Sequence, residues 1–131
     1  MNYKVEKTDA EWKEELSKDE YAVLRNEATE PPFSGTLLDE HRDGVFACKA
    51  CQAPLFKSTT KFDSGSGWPS FYEPISKDAV ELVTDKSWFM TRTEVRCATC
   101  GSHLGHLFDD APQTPTGDRF CMNSLSLEFN S

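Results

Sequence analysis

The stretch Arg119-Phe120-Cys121-Met122-Asn123-Ser124-Leu125-Ser126-Leu127-Glu128-Phe129 alternates with a period of two, the spacing of a β-strand whose successive side chains point to opposite faces. One face collects Arg119, Cys121, Asn123, Leu125, Leu127 and Phe129, and the other Phe120, Met122, Ser124, Ser126 and Glu128. The pattern predicts a single strand over Arg119 to Phe129 with the apolar half of the first set turned to the core. Cys121 and Asn123 then share that face where the core opens. Arg119 can bring a cation near the Cys121 sulfur, and a neighbouring positive charge lowers a thiol pKa. A packed structural cysteine beside a surface arginine fits the same pattern.

Working back from that strand, Val, Phe, Trp and Thr gather from Phe33 onward in short runs broken by Gly, Pro, Asp and Ser, which is strand grammar. Candidate strands cover Val45 to Ala47, Val80 to Val83, Trp88 to Arg96 and His103 to Phe108, and Asp109 to Gly117 reads as an exposed loop. The expected core is antiparallel and mainly β. Only the first part of the chain reads as helical. Thr8-x-x-Glu11 and Ser17-x-x-Glu20 are capping boxes, Trp12 with Leu16 and Tyr21 with Leu24 form narrow apolar stripes, and Pro31-Pro32 is expected to end the second helix.

Four of the five cysteines stand as Cys48-x-x-Cys51 and Cys97-x-x-Cys100, and Cys121 stands alone. A structural zinc ion takes four soft donors in a closed tetrahedron, and each C-x-x-C turn presents two thiolates to one ion. The four paired cysteines are therefore candidate ligands of one structural zinc, leaving Cys121 for chemistry. The span from Cys51 to Cys97 is long for a compact ribbon, so the ion acts as a cross-link, worth roughly 4 kcal/mol by loop entropy for about 50 residues. A fully thiolate-bound ion has no open position for water, which argues against a catalytic metal.

With 131 residues, 37% hydrophobic and 27% charged, the composition is that of one ordinary soluble domain. The opening Met1-Asn2-Tyr3-Lys4-Val5-Glu6-Lys7 has no apolar signal region, and no stretch approaches the roughly 20 apolar residues that span a bilayer. A cytoplasmic location without membrane association is expected, and a reducing cytosol favours metal over disulfides for the paired cysteines. The net charge of -8 and the absence of a basic stripe argue against a nucleic-acid partner. Glu11, Glu14 and Glu15 read as a solvated helix face.

In His103-Leu104-Gly105-His106 the two imidazoles point to opposite faces of a regular strand, and they converge only if the strand bulges, which Gly105 permits. Two histidines near a lone thiol suggest acid-base work, because imidazole exchanges protons near neutral pH. Each histidine also fits a packing role. Trp68, in Ser64-Gly65-Ser66-Gly67-Trp68-Pro69-Ser70-Phe71, is either a core anchor or one wall of a pocket, and composition favours the anchor.

Together, Thr29-Glu30-Pro31-Pro32-Phe33-Ser34-Gly35, the two C-x-x-C pairs, the Ser64 to Phe71 segment, His103-Leu104-Gly105-His106-x-Phe108-x-Asp110 and Arg119-Phe120-Cys121-x-Asn123-Ser124 resemble the methionine-R-sulfoxide reductase family, in that family's order and over nearly the whole chain. The resemblance implies one reductase domain over residues 1-131, with two antiparallel sheets, short N-terminal helices and a zinc site far from the active site. It implies Cys121 as nucleophile, His106 as proton donor to the sulfoxide oxygen, His103 and Asn123 orienting water and polar groups, Trp68 against the substrate methyl and Arg119 aiding the thiolate. The implied partners are methionine-R-sulfoxide, free or in oxidised proteins, and thioredoxin or another thiol reductant. Many members of the family carry a resolving cysteine where this chain has Ser66, so an external thiol is expected to reduce the Cys121 sulfenic acid with no internal disulfide. The residues alone also allow a non-catalytic zinc-stabilised interaction module, or a thiol hydrolase built on Cys, His and Asn. No interface helix is evident, and a monomer is expected.

Overall fold

The computed structural model describes residues 3–86 and 90–131. Among the described residues two helices, α1 (Asp9–Glu15) and α2 (Lys18–Asn26), precede nine strands: β1 (Val45–Cys48), β2 (Pro54–Lys57), β3 (Lys61–Phe62), β4 (Ser70–Phe71), β5 (Val80–Asp85), β6 (Arg92–Cys97), β7 (His103–Ala111), β8 (Gly117–Met122) and β9 (Leu127–Asn130). They form two antiparallel sheets, ordered β2-β1-β9 and β3-β4-β8-β7-β6-β5. Phenylalanines join the sheets: Phe56 of one stacks on Phe71 of the other at 4.4 Å, and Phe46 meets Phe71 edge-on at 5.0 Å. All three are fully buried, so the contact combines a large apolar area with favourable ring geometry.

Both capping boxes form, with Thr8 and Ser17 accepting from the third residue of their helices and Glu11 and Glu20 reaching back. The stripe residues Trp12, Leu16 and Leu24 are buried, while Tyr21 is only half-buried. The helix α2 ends at Asn26, before Pro31-Pro32, because Glu27 takes a left-handed conformation (φ 60°) and the Ala28 amide bonds the Ala22 carbonyl at 2.9 Å. This is a Schellman stop, and the prolines expected to end the helix lie beyond it. Arg25 anchors the helices, lying over the Trp12 ring at 4.7 Å and donating to the Cys100 carbonyl at 3.0 Å and the Ser102 hydroxyl at 3.1 Å.

The predicted strand over Arg119 to Phe129 is two strands in different sheets. At Asn123 the backbone amide turns to the Leu104 carbonyl (2.9 Å), a helical turn at Ser124–Ser126 follows, and Leu127 re-enters as β9 opposite Cys48. The expected face assignment also fails within β8, where Phe120 and Met122 are buried in the core and Arg119 and Cys121 face the other way. A period of two identifies a strand but leaves its two faces interchangeable when both carry apolar residues. The two-residue strands β3 and β4 escaped prediction because a pair of residues carries no period, and the four residues of β2 escaped it because they begin on a proline and bury two neighbours, Leu55 and Phe56, instead of alternating; β7 extends to Ala111, past the expected loop start. The predicted start at Trp88 lies outside the described residues, and the observed strand begins at Arg92.

The pairing of β7 with β8 sets His106 opposite Cys121 and Gly105 opposite Met122. On its other side β7 is bulged: Val95 faces Gly105 and Arg96 faces His103, so Leu104 is the extra residue. Gly105 is required by close approach, since a Cβ there would stand 2.0 Å from the Cys121 carbonyl oxygen. Gly105→Ala is therefore expected to push β7 from β8 and lower the melting temperature by roughly 5 to 15 °C, read by circular dichroism. An unchanged melting temperature would show that the strands yield freely.

Candidate active site

The two C-x-x-C turns are built alike. Residues Gln52 (φ 70°) and Gly101 (φ 77°), each after its second cysteine, take left-handed conformations and donate to the carbonyls of Cys48 and Cys97, both at 2.8 Å. The Cys48 and Cys97 amides close each turn by bonding the carbonyls of Ala53 and Ser102. Cys48 lies 3.8 Å from Cys100 and Cys51 lies 3.6 Å from Cys97 between sulfurs, and all four sulfurs lie within 4.8 Å of one another. A tetrahedron with metal-sulfur bonds of about 2.3 Å has edges of about 3.8 Å, whereas a disulfide needs about 2.05 Å. The donor set thus fits a metal ion bound by all four thiolates. The Ser102 hydroxyl lies 3.1 Å from the Cys100 sulfur, linking Arg25 to the cluster.

Cys121 lies in a separate cleft of about 200 Å³, lined by Ser66, Trp68, Arg92, His106, Arg119 and Asn123 among others, and by none of the paired cysteines. Strand register places His106 directly across from Cys121, the arrangement in which facing Cβ atoms stand about 5 Å apart. The bulge at Leu104 brings the imidazoles together, with His103 and His106 at 5.5 Å between ring centres. The two histidines nevertheless differ in position. His106 is part of the cleft wall, with Nε2 3.1 Å from Asp85, which also binds Arg92 at 3.2 Å. His103 is buried behind it, and its Nδ1 donates to Glu94 at 2.8 Å, whose other oxygen binds Arg96 at 2.9 Å.

Asn123 reaches the cleft but spends its amide on the backbone, accepting from the Glu30 N-H and donating to the Leu104 carbonyl, both at 3.0 Å. Those partners fix its orientation, because an N-H must meet the amide oxygen and a carbonyl the amide nitrogen. The indole of Trp68 is half-buried and anchored through Nε1 to the Glu30 carbonyl at 3.0 Å, so it is a pocket wall tied at one edge rather than a core anchor. Glu30 is thus a hub, and one oxygen of its buried carboxylate also accepts the Leu125 amide at 2.9 Å. Arg119 lies over Phe108 at 4.5 Å and donates two hydrogen bonds of 2.9 Å to Asp110.

Four site residues, Glu30, Asp85, Arg92 and Glu94, were not among those expected from the sequence. The last three arrive through cross-strand register, which leaves no local signal. Glu30 stands inside the Thr29-Glu30-Pro31-Pro32 motif, where its position beside the paired prolines was the available clue.

Burial pushes the Cys121 thiol above its ordinary range, and the Arg119 cation and the Ser66 hydroxyl, 4.0 Å away, pull it back without overcoming burial. Burial likewise holds His106 below the usual imidazole value, with Asp85 opposing. Burial also acts on Glu94, but Arg96 and His103 outweigh it and keep that carboxyl below its usual range. The signs follow. His106 resists protonation when folded, so its contribution to stability is present above pH 6.5 and is lost in acid. The Cys121 contribution is present below pH 9.0 and is lost as its thiol ionises.

The fold and site define a two-sheet β protein with a cluster of four thiols placed to hold a metal ion and, apart from it, a lone cysteine facing a histidine in an indole-walled cleft. A SelR domain matches residues 16–131, and the chain belongs to that family. It is 61% identical over 127 residues to the "Peptide methionine sulfoxide reductase MsrB" of Leifsonia xyli subsp. xyli, covering 97% of this chain and 91% of the relative. Proteins of the same name from Methanosarcina barkeri (55%, covering 97% and 89%) and Escherichia coli O139:H28 (55%, covering 91% and 86%) are also similar. Among solved structures, the Mis18 "Yippee-like" domain shares the fold, with a TM-score of 0.54 at 16% identity over 69% of this chain and 97% of its own.

The electrostatic balance at Cys121 is directly measurable. Alkylation of Cys121 by iodoacetamide, followed by peptide mass spectrometry, is expected to rise about tenfold per pH unit through neutrality and to level off only above pH 9.0. Arg119→Met should move that plateau to still higher pH. A plateau below neutrality would contradict the dominance of burial.

Proposed function

We propose that this chain reduces methionine-R-sulfoxide to methionine, in repair of oxidised protein, as one reductase domain over residues 1-131 with Cys121 as nucleophile. The observation that carries the reading is Cys121 set opposite His106 in the cleft walled by Trp68, in a chain 61% identical to a protein named as a peptide methionine sulfoxide reductase. In the first half-reaction the Cys121 thiolate attacks the sulfoxide sulfur and the sulfur-oxygen bond breaks. The oxygen passes to Cys121 as a sulfenic acid, so the methionine sulfur gains two electrons and the cysteine sulfur loses two.

The proton balance suits the two shifted groups. At neutral pH Cys121 rests as a thiol and His106 as a neutral imidazole. The proton leaving the thiol equals the proton the sulfoxide oxygen gains, and His106 transfers it as general acid-base. Buried His103, bridged to Glu94, orients His106, and Asn123 holds the strand end and the Glu30 loop that shape the cleft. Arg119 stabilises the thiolate as it forms. With the methyl against Trp68, only the R epimer turns its oxygen toward His106.

In the second half-reaction two external thiols reduce the sulfenic acid, giving water, a disulfide of the reductant and the Cys121 thiol. Ser66, whose hydroxyl lies 4.0 Å from the Cys121 sulfur, offers no sulfur, so thioredoxin or a small thiol serves directly. We assign zinc to the four-cysteine cluster, where it would cross-link the two turns with no coordination position open to substrate. A monomer in the cytoplasm accords with this chemistry, since a reducing thiol pool keeps the ligands free and supplies the reductant.

Turnover of separate R and S epimers of a capped methionine sulfoxide with dithiothreitol tests the reading. Activity on R alone, lost in Cys121→Ser, is expected, and intact-mass analysis after one turnover without reductant should show one added oxygen and no internal disulfide. Activity on neither epimer by a folded protein would favour a non-catalytic module. Cys97→Ser is expected to lose stoichiometric zinc by elemental analysis and roughly 4 kcal/mol of stability. Unchanged denaturation in that variant would remove the cross-linking role.

A further inference from the structure

Trp68 lines a second groove as well, of about 470 Å³, that contains neither Cys121 nor His106. Its walls include Phe33, Asp39, Lys61, Phe62 and Asp63, so the indole is the element shared by the two spaces. Phe33 is 70% exposed at this groove although it is a large aromatic, and its backbone is left-handed at φ 63°. A bulky residue is held there only when its surroundings compel it. Here the Phe33 amide donates to the Gly67 carbonyl at 2.7 Å, and a Cβ on Gly67 would come within 2.9 Å of the Phe33 ring. The exposed ring therefore stands against the loop that carries Trp68.

The charges of the groove are unevenly committed. Lys61 donates to the Leu38 carbonyl at 2.7 Å, and both oxygens of Glu40 are held by Arg42. Asp63 gives one oxygen to the Gly65 amide at 3.1 Å, Asp39 makes no hydrogen bond or ion pair among the described residues, and both feel the Lys61 cation only at longer range. Both aspartates are exposed. The groove thus offers an aromatic surface beside carboxylate oxygens with capacity to spare, which is complementary to a side chain that ends a long aliphatic stem in a cation.

We propose that this groove seats the polypeptide beside the oxidised methionine and selects a lysine or arginine there, with its stem across Phe33 and Phe62 and its cation at Asp39 and Asp63. The inference rests on the reductase reading above and names the substrate class that the same site takes. Trp68 lines both spaces, so a polypeptide leaving the cleft past the indole meets the groove on its other side.

The test compares three R-sulfoxide substrates with dithiothreitol as reductant: capped methionine sulfoxide, and two capped peptides alike except for lysines or glutamates flanking the sulfoxide. The parent protein should turn over the lysine peptide with a kcat/KM about three- to fivefold above the glutamate peptide, the size expected for exposed charge pairs, and the ratio should shrink in about 0.5 M salt. Asp39→Lys should abolish or invert the ratio. Phe33→Ala should raise KM for both peptides relative to the capped amino acid. Melting curves check that each variant is folded. Equal use of the two peptides by the parent, or a ratio that survives Asp39→Lys, overturns the proposal. Failure on capped methionine sulfoxide itself would instead sink the reductase reading.

Discussion

At Gly105 the strands β7 and β8 come so close that a side chain there would stand 2.0 Å from the Cys121 carbonyl oxygen, and the candidate site depends on that approach. It locks the register that sets His106 across from Cys121. The bulge at Leu104, one residue away, turns His103 toward the same region and leaves the Leu104 carbonyl to bind both the backbone and the side-chain amide of Asn123. One close backbone contact thereby organises Cys121, both imidazoles and the point where the chain leaves one sheet for the other.

The electrostatics around the thiol show a shared device, in which each basic group at the site is tied to a carboxylate. His106 meets Asp85, which also binds Arg92; His103 meets Glu94, which also binds Arg96; Arg119 is held by Asp110. Orientation is gained, but the positive field at Cys121 is partly neutralised, and burial then dominates its ionisation. A resting thiol rather than a thiolate follows, and the proposed reaction then has its proton at hand for the substrate oxygen. A permanently ionised cysteine would have to find that proton elsewhere.

The cysteine cluster and the phenylalanine contacts do related work at different places. Cys48 ends a strand of the three-stranded sheet and Cys97 ends a strand of the six-stranded one, so an ion held by all four sulfurs would tie the two sheets together through coordinate bonds. Phe46, Phe56 and Phe71 join the same two sheets by packing. Arg25 extends the tie to the helices through Ser102 and the Cys100 carbonyl. The cleft is assembled from strands of the larger sheet and the loops packed on them.

Features that depend on neighbours along the chain are legible in the amino-acid order alone. The capping boxes, the C-x-x-C turns, the strand character around Cys121 and the possibility of a bulge at Gly105 are all of this kind, because capping, knuckle turns and side-chain alternation are local. Which face of β8 is buried, the break at Asn123, the helix stop at Glu27 and the partnership of Asp85 and Glu94 with the histidines are not legible there. Each depends on contacts between residues far apart in sequence. The chain's own order carries the two-residue period, the identity of the candidate reactive and metal-binding groups and the motifs of the family to which the chain belongs. How those groups meet is a property of the folded molecule, since strand register and sheet exchange are settled by which packing of the core costs least, and a one-residue change in register turns every side chain to the opposite face.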